Sequence, residues 1–396
     1  MQRNRTLDGT PIRDTLLHEN ERAPQNMKFD SIQYVRAFAA LLVVLYHESV
    51  YLQRLRGFSW LHDVLGGRPG VYGVIAFFVV SGYLMATIAP KYRPETFIAH
   101  RIIRIYPAYW FCVALAAVYF IGLWYVTRPN ADYVPSITGM LLREGNPAQL
   151  LRLTLVPMVF PDYPLGIEWT LLYETTFYII IFLVSLAGML KFLPYLASVW
   201  LVLLIYLSIA TPTSQAGWTQ PTLITVPLFG LNAAFILGIL GTLLIHFRLK
   251  PIWTIFGGLV IVVLEALFPT NWSTLQISLG IFCIVIGLVA LEKNGRLFRS
   301  SILVKAGGWS YAMYLLHVPV LVGTFKLMGQ ASPILMFAAG LIMTIIVSAA
   351  IGTIDVAGYY YLKRWLDRYP KFHRPVAVIF VAIFFAAGVL GLYKSG

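Results

Sequence analysis

Apolar residues come in long runs rather than at every second or every third and fourth position. Taking runs of about 17–25 apolar residues as membrane-spanning helices, the pattern predicts eleven, near 31–53, 71–89, 107–126, 167–190, 193–210, 223–245, 252–268, 275–291, 309–328, 333–356 and 375–393. The expected fold class is all-α: a polytopic membrane helical bundle of about ten to eleven transmembrane helices. Residues 1–28 are polar, contain Pro11 and Pro24, and lack the apolar core of a signal peptide, so a disordered tail is expected there. The expected domains are that tail, a transmembrane domain over 29–366, and a linker with one additional helix over 367–396.

Composition agrees with this picture. The 396 residues are 59% hydrophobic and 12% charged, against about 25% charged for soluble domains. The net charge of +13 raises the question of a nucleic-acid partner, but the basic residues gather in alternate connections. With the N-terminus inside, 21 of the 30 Lys and Arg fall on inside segments, so the charge reads as topology and no nucleic acid is expected. A cytoplasmic N-terminus follows. Cys112 and Cys283 both sit in apolar runs, which supports neither a disulfide framework nor a Cys-based metal site. The Pro-rich connection 127–166 includes AQLLRLTLVPMVF, an amphipathic-looking piece expected to lie at the interface or to roof a cavity.

Several of the predicted helices carry ionisable groups, which are costly in a membrane and mark functional candidates. The first holds Arg36 and His47, eleven residues and about 16 Å apart along a helix. Buried imidazole suits a general base, or packs as a bonded core histidine. In FFVVSGYL, Ser81 and Gly82 suit close helix packing. In HRIIRIYPAYW, Arg101 and Arg104 share a helix face and read as an anion clamp or as topological anchors, with Pro107 at a first turn or break. Glu174 reaches a depth comparable to that of His47 from the opposite end, and a carboxylate beside that imidazole would orient it. Glu168 lies near the mouth of the same helix. His317 reads as a positioning residue; Glu265 and Asp355 fit no cluster, and His246 and His373 look topological.

Five pieces occur in one order: FDSIQYVRAFAALLVVLYH, FFVVSGYL, RIIRIYP, EWTLLYETTFY and SYAMYLLHVP. Together they resemble the membrane acyltransferase-3 family, which includes bacterial O-acetyltransferases of exopolysaccharide, O-antigen and related glycans. The resemblance covers roughly residues 28–360, and the short stretch after it is too small for an esterase domain, so the stand-alone form is expected.

The resemblance implies a membrane-bound O-acyltransferase of the bacterial inner membrane that moves an acyl group, acetyl first, from cytoplasmic acyl-CoA to a hydroxyl of an exported polysaccharide or its lipid-linked precursor. It implies His47, Glu174 and Arg36 as catalytic residues and Arg101, Arg104 and Tyr106 as acetyl-CoA contacts. Glu168, Trp169, Ser81, Tyr83, Tyr314 and His317 are implied as substrate or positioning residues, with no metal. Expected partners are the acyl-CoA, a glycan or lipid-linked sugar, membrane lipid and other polysaccharide-synthesis proteins. His100 stands where many relatives carry another arginine. The competing class is a transporter or flippase in which Arg36, His47 and Glu174 line a proton or substrate path.

Overall fold

The computed structural model describes residues 29–65, 69–127, 147–157, 163–210, 221–245 and 250–395. The expected tail and His246 lie outside them. Thirteen α-helices run through the described residues, and no strand occurs among them: α1 Asp30–Arg56, α2 Trp60–Leu65, α3 Pro69–Ile88, α4 Pro94–Thr127, α5 Trp169–Leu186, α6 Leu193–Ala210, α7 Thr225–Leu228, α8 Asn232–Leu244, α9 Pro251–Leu267, α10 Ser273–Lys293, α11 Ser301–Met328, α12 Pro333–Arg368 and α13 His373–Ser395. Nine apolar segments are long enough to cross a membrane among the described residues, and α8 and α9 are shorter apolar helices. Together these match the eleven expected. The chain is an integral membrane protein.

The functional helices α1, α3, α4, α5 and α11 are held by contacts that also fix their register. At the start of α1, Glu292 accepts the amides of Asp30 (2.8 Å) and Ser31 (3.1 Å), so a carboxylate meets the positive end of the helix dipole. The Tyr34 hydroxyl donates to the Phe298 carbonyl at 2.8 Å, and the Ser300 amide donates to that hydroxyl at 2.7 Å, which joins α1 to the entry of α11. Helices α3 and α8 cross at reciprocal glycines. A Cβ on Gly82 would strike the Phe235 carbonyl, and one on Gly238 the Val79 carbonyl. Small residues let the two backbones meet without help from a water-driven hydrophobic effect.

Two expectations give way here. Pro107 lies inside α4, which starts thirteen residues earlier at Pro94, so Arg101 and Arg104 stand on a helical segment continuous with the span. The AQLLRLTLVPMVF piece does not lie at an interface over its described part. Pro147–Thr154 is a 3-10 helix, and Leu155 and Val156 behind it are buried in the bundle. The reason is polar as well as apolar. Tyr106 and Trp110 donate to the carbonyls of Thr154 (2.6 Å) and Leu153 (3.0 Å), Thr175 donates to that of Leu155 (2.8 Å), and Val156 packs on Ile179 and Phe384. The segment is a plug between α4, α5 and α13.

Candidate active site

Five helices enclose a cavity of about 840 Å³, open space at its mouth included. Arg36 comes from α1, Ser81 from α3, Arg101 and Arg104 from α4, Glu174 and Tyr178 from α5, and Ser310, Tyr311 and Tyr314 from α11. All five sequence pieces therefore reach one space.

The three guanidiniums are not equivalent. Arg104 Nη1 binds Asp355 Oδ2 at 3.1 Å and sits over the rings of Tyr311 (5.1 Å) and Tyr359 (5.4 Å). Its charge is spoken for. Arg101 faces the Phe97 and Tyr178 rings at 5.9 and 6.0 Å, and its buried Nε has no hydrogen-bond partner among the described residues. Arg36 is repelled by Arg104 and attracted by Glu174 and Asp355, while Glu174 accepts a hydrogen bond from Tyr178. Three guanidiniums thus face two carboxylates, and buried charge without full compensation is costly unless a ligand supplies the remainder. Ser81 Oγ, also without a hydrogen-bond partner among the described residues, faces the same space, whereas its neighbour Gly82 makes the helix crossing.

His47 lies beyond the cavity's apolar end. The Phe77 and Tyr314 rings are 6.0 Å apart, those of Tyr314 and His317 5.9 Å, and those of His317 and His47 4.8 Å. The hydrogen bonds assign the tautomers. His317 Nδ1 lies 2.8 Å from the Tyr314 carbonyl and 3.2 Å from that of Met313, and a carbonyl only accepts, so Nδ1 carries the proton and Nε2 a lone pair. His47 Nδ1 lies 3.2 Å from that lone pair and 3.0 Å from the Val43 carbonyl. It too carries its proton, which leaves His47 Nε2 with a free lone pair.

This arrangement corrects the expected partner of His47. The imidazole is oriented by His317, and Glu174 is engaged with Tyr178 and the arginines instead. Three further candidates do not line the cavity. Tyr106 turns to the Thr154 carbonyl and packs on Trp110 and Phe380; Tyr83 packs edge-on against Phe29 in the core; Trp169 packs against Tyr173. Glu168, one residue before α5, is fully buried rather than at a mouth. It accepts the amides of Leu165 (2.7 Å) and Ile167 (2.9 Å) and faces the Tyr109 hydroxyl at 3.5 Å. Burial pushes its carboxyl up to about 7 against the pull of those donors. Beside it, the Tyr314 hydroxyl reaches the Ile167 carbonyl (2.9 Å) and Thr170 Oγ1 (2.5 Å). Glu168 and Tyr314 therefore build the turn that starts α5.

Two residues were missed. Asp355 is the counter-ion of Arg104, separated from it by 251 positions, and nothing local signals such a pair. Glu48 is fully buried beside Gly340, and neither of its carboxylate oxygens has a hydrogen-bond partner among the described residues. Its signal was available, since an acid inside a span is a functional candidate by default.

A charged, multi-helix cavity with a half-buried, oriented imidazole beyond its apolar end is the equipment of a group-transfer enzyme. The chain belongs to the acyltransferase-3 family: residues 29–353 match its acyltransferase domain. It is 27% identical over 333 residues to the exopolysaccharide production protein ExoZ of Rhizobium meliloti (strain 1021), covering 78% of this chain and 93% of the relative. It is also 30% identical over 180 residues to the putative membrane-bound transacylase BcsY of Komagataeibacter xylinus, covering 44% of this chain and 42% of that protein. No solved structure matches.

Proposed function

We propose that the protein transfers an acetyl group from acetyl-CoA, entering at the Asp30 end, to a hydroxyl of an exported polysaccharide or its lipid-linked precursor at the Arg56 end. The observation that carries this reading is the cavity's polarity: unspent positive charge at one end, and His47 with an open Nε2 beyond the other. The names of the two relatives, one for exopolysaccharide production and one for membrane-bound transacylation, support the same acceptor and reaction class. With the N-terminus in the cytoplasm of a bacterial inner membrane, as the basic residues favour, the donor comes from its metabolic pool and the glycan from outside.

Arg101 and Arg36 hold the donor's phosphates, and the pantetheine arm runs past Ser81 and Tyr314 over the roughly 16 Å that separate Arg36 from His47. His47 Nε2 removes the acceptor's hydroxyl proton as that oxygen attacks the thioester carbonyl. The tetrahedral intermediate then breaks its C–S bond, and the leaving thiolate takes the proton back from His47. His317 accepts the His47 Nδ1–H and steadies the imidazolium between these two transfers.

The test is His47→Ala in the intact membrane protein, with acetyl-CoA binding and acetylated glycan measured in parallel. Retained binding with lost product supports the reading; undiminished product overturns it. A flippase would be indifferent to CoA in the binding arm. Radiolabelled acetyl kept on the wild-type chain without acceptor would replace direct transfer by an acetyl-imidazole route.

A further inference from the structure

Away from the cavity, at the end of the bundle where α4 begins, three ligand-bearing side chains from three helices meet. They are His100 of α4, Asp367 of α12 and His373 of α13, with one ligand atom of each lying within 4.8 Å of the others. His100 is buried, Asp367 exposed and His373 between the two. Positions 267 and 273 residues apart leave no spacing motif, which is why the sequence shows no metal signature.

We propose that this cluster binds a divalent transition ion, Zn²⁺ by ligand type, as a structural staple. Two imidazoles and a carboxylate form a zinc set that leaves a fourth position for water. The geometry around them is that of oriented ligands. His373 Nε2 lies 3.2 Å from the Leu366 carbonyl, so that nitrogen donates and Nδ1 turns its lone pair toward Thr96 and the cluster. An imidazole fixed by a backbone carbonyl through its other nitrogen is the usual outer arrangement of a metal-binding histidine. Asp367 divides its oxygens: Oδ2 binds Lys363 Nζ at 2.7 Å, and Oδ1 faces His100 Nε2 at 2.7 Å. Oδ1, His100 Nε2 and His373 Nδ1 would be the three donor atoms, and the ion would replace the His100–Asp367 hydrogen bond and the one from the Thr96 hydroxyl to His373 Nδ1. Asp367 and His373 lie past residue 353, where the family match ends, Asp367 in the last turn of α12 and His373 at the start of α13. The staple would tie these two helices to the one that carries Arg101.

The positive charges of Lys363 and Arg101 oppose a cation here, and Lys363 competes for Asp367 directly. That competition gives the test a sign. The full-length protein, purified in detergent without a polyhistidine tag and stripped with EDTA, is equilibrated with buffered Zn²⁺ and its bound metal counted. Wild type takes up stoichiometric zinc. His373→Ala and Asp367→Asn weaken uptake more than about 100-fold, beyond the ~10–100-fold that loss of an outer partner costs. Lys363→Gln tightens it by up to about fivefold, the worth of one exposed charge. His100→Gln repeats the loss from the buried side; if it fails to insert in the membrane, the two rim variants carry the test. Trace zinc that is equal in wild type and His373→Ala overturns the proposal and leaves a hydrogen-bonded contact.

Discussion

At the Asp30 end of the site, three guanidiniums crowd two carboxylates, and Arg101 keeps a buried Nε without a hydrogen-bond partner among the described residues. At the other end, two imidazoles use every nitrogen but one, each bound to the other or to a backbone carbonyl. The first region is incomplete by itself and gains most from a polyanion. The second is already organised, and its spare lone pair is a reagent rather than a grip. On the proposed function, binding belongs to the cavity and chemistry to the imidazole pair beyond its end, and substitutions at the two ends should differ in kind as well as in size.

His47→Ala is the sharpest way to break that contrast. Activity should fall about 10²- to 10⁴-fold, the range of a positioned general base, with acetyl-CoA affinity unchanged in a direct binding assay. A parallel loss of affinity would mean that the ends are not separate. At the arginine end, Arg101→Ala should weaken acetyl-CoA binding about 10- to 150-fold, the worth of hydrogen bonds to a charged group, and leave kcat nearly alone. Arg104 serves as an internal control. Asp355→Asn leaves a half-buried guanidinium without its counter-ion, so thermal stability of the detergent-solubilised protein should drop before donor affinity does. Equal affinity losses for Arg101→Ala and Asp355→Asn would erase the distinction between the two arginines.

His317→Ala should be milder. It removes one hydrogen bond to His47, worth about 0.5–1.5 kcal/mol, and so costs roughly 2- to 12-fold in kcat with KM unmoved. His317→Gln should recover part of that, because its side-chain oxygen still accepts the Nδ1–H of His47. Failure of Gln to recover anything would point to lost packing instead of lost orientation.

Helix number and order were legible in the sequence because a membrane imposes a length on every apolar run, and that constraint is local. The convergence of Arg36, Ser81, Arg101, Arg104, Glu174 and Tyr314 was legible only through ordered motifs. Which of them touch was not. The sequence put Glu174 and His47 at comparable depth, but depth leaves the angle around each helix open, and the facing angle gave the imidazole to His317. Tyr106 failed for the same reason: it follows Arg104 by two positions, about 200° around the helix, and so faces the plug at Thr154. Asp355 and Arg104 are 251 positions apart, and no periodicity connects them.

Glu168 offers the smallest effect on rate and the cleanest contrast with the arginine end, since it is a buried charge-bearing group whose partners are all internal. Burial pushes its carboxyl from the ordinary 4.5 up to about 7. Below about 4.5 it is protonated in both the folded and unfolded chain; between 4.5 and 7 only the folded chain holds the proton; above 7 neither does. The folded state therefore binds more protons inside that window, and stability must fall as pH rises through it, by up to roughly 3 kcal/mol, before levelling off. Glu168→Gln cannot titrate, yet its side-chain oxygen can still accept one of the two loop amides. Thermal unfolding of wild type and variant between pH 4.5 and 7.5 should show a wild-type decline that the variant lacks, with acyl transfer changed little in either. Parallel curves would mean that the donors from Leu165, Ile167 and Tyr109 outweigh burial, so that the turn before α5 is held by an ionised carboxylate.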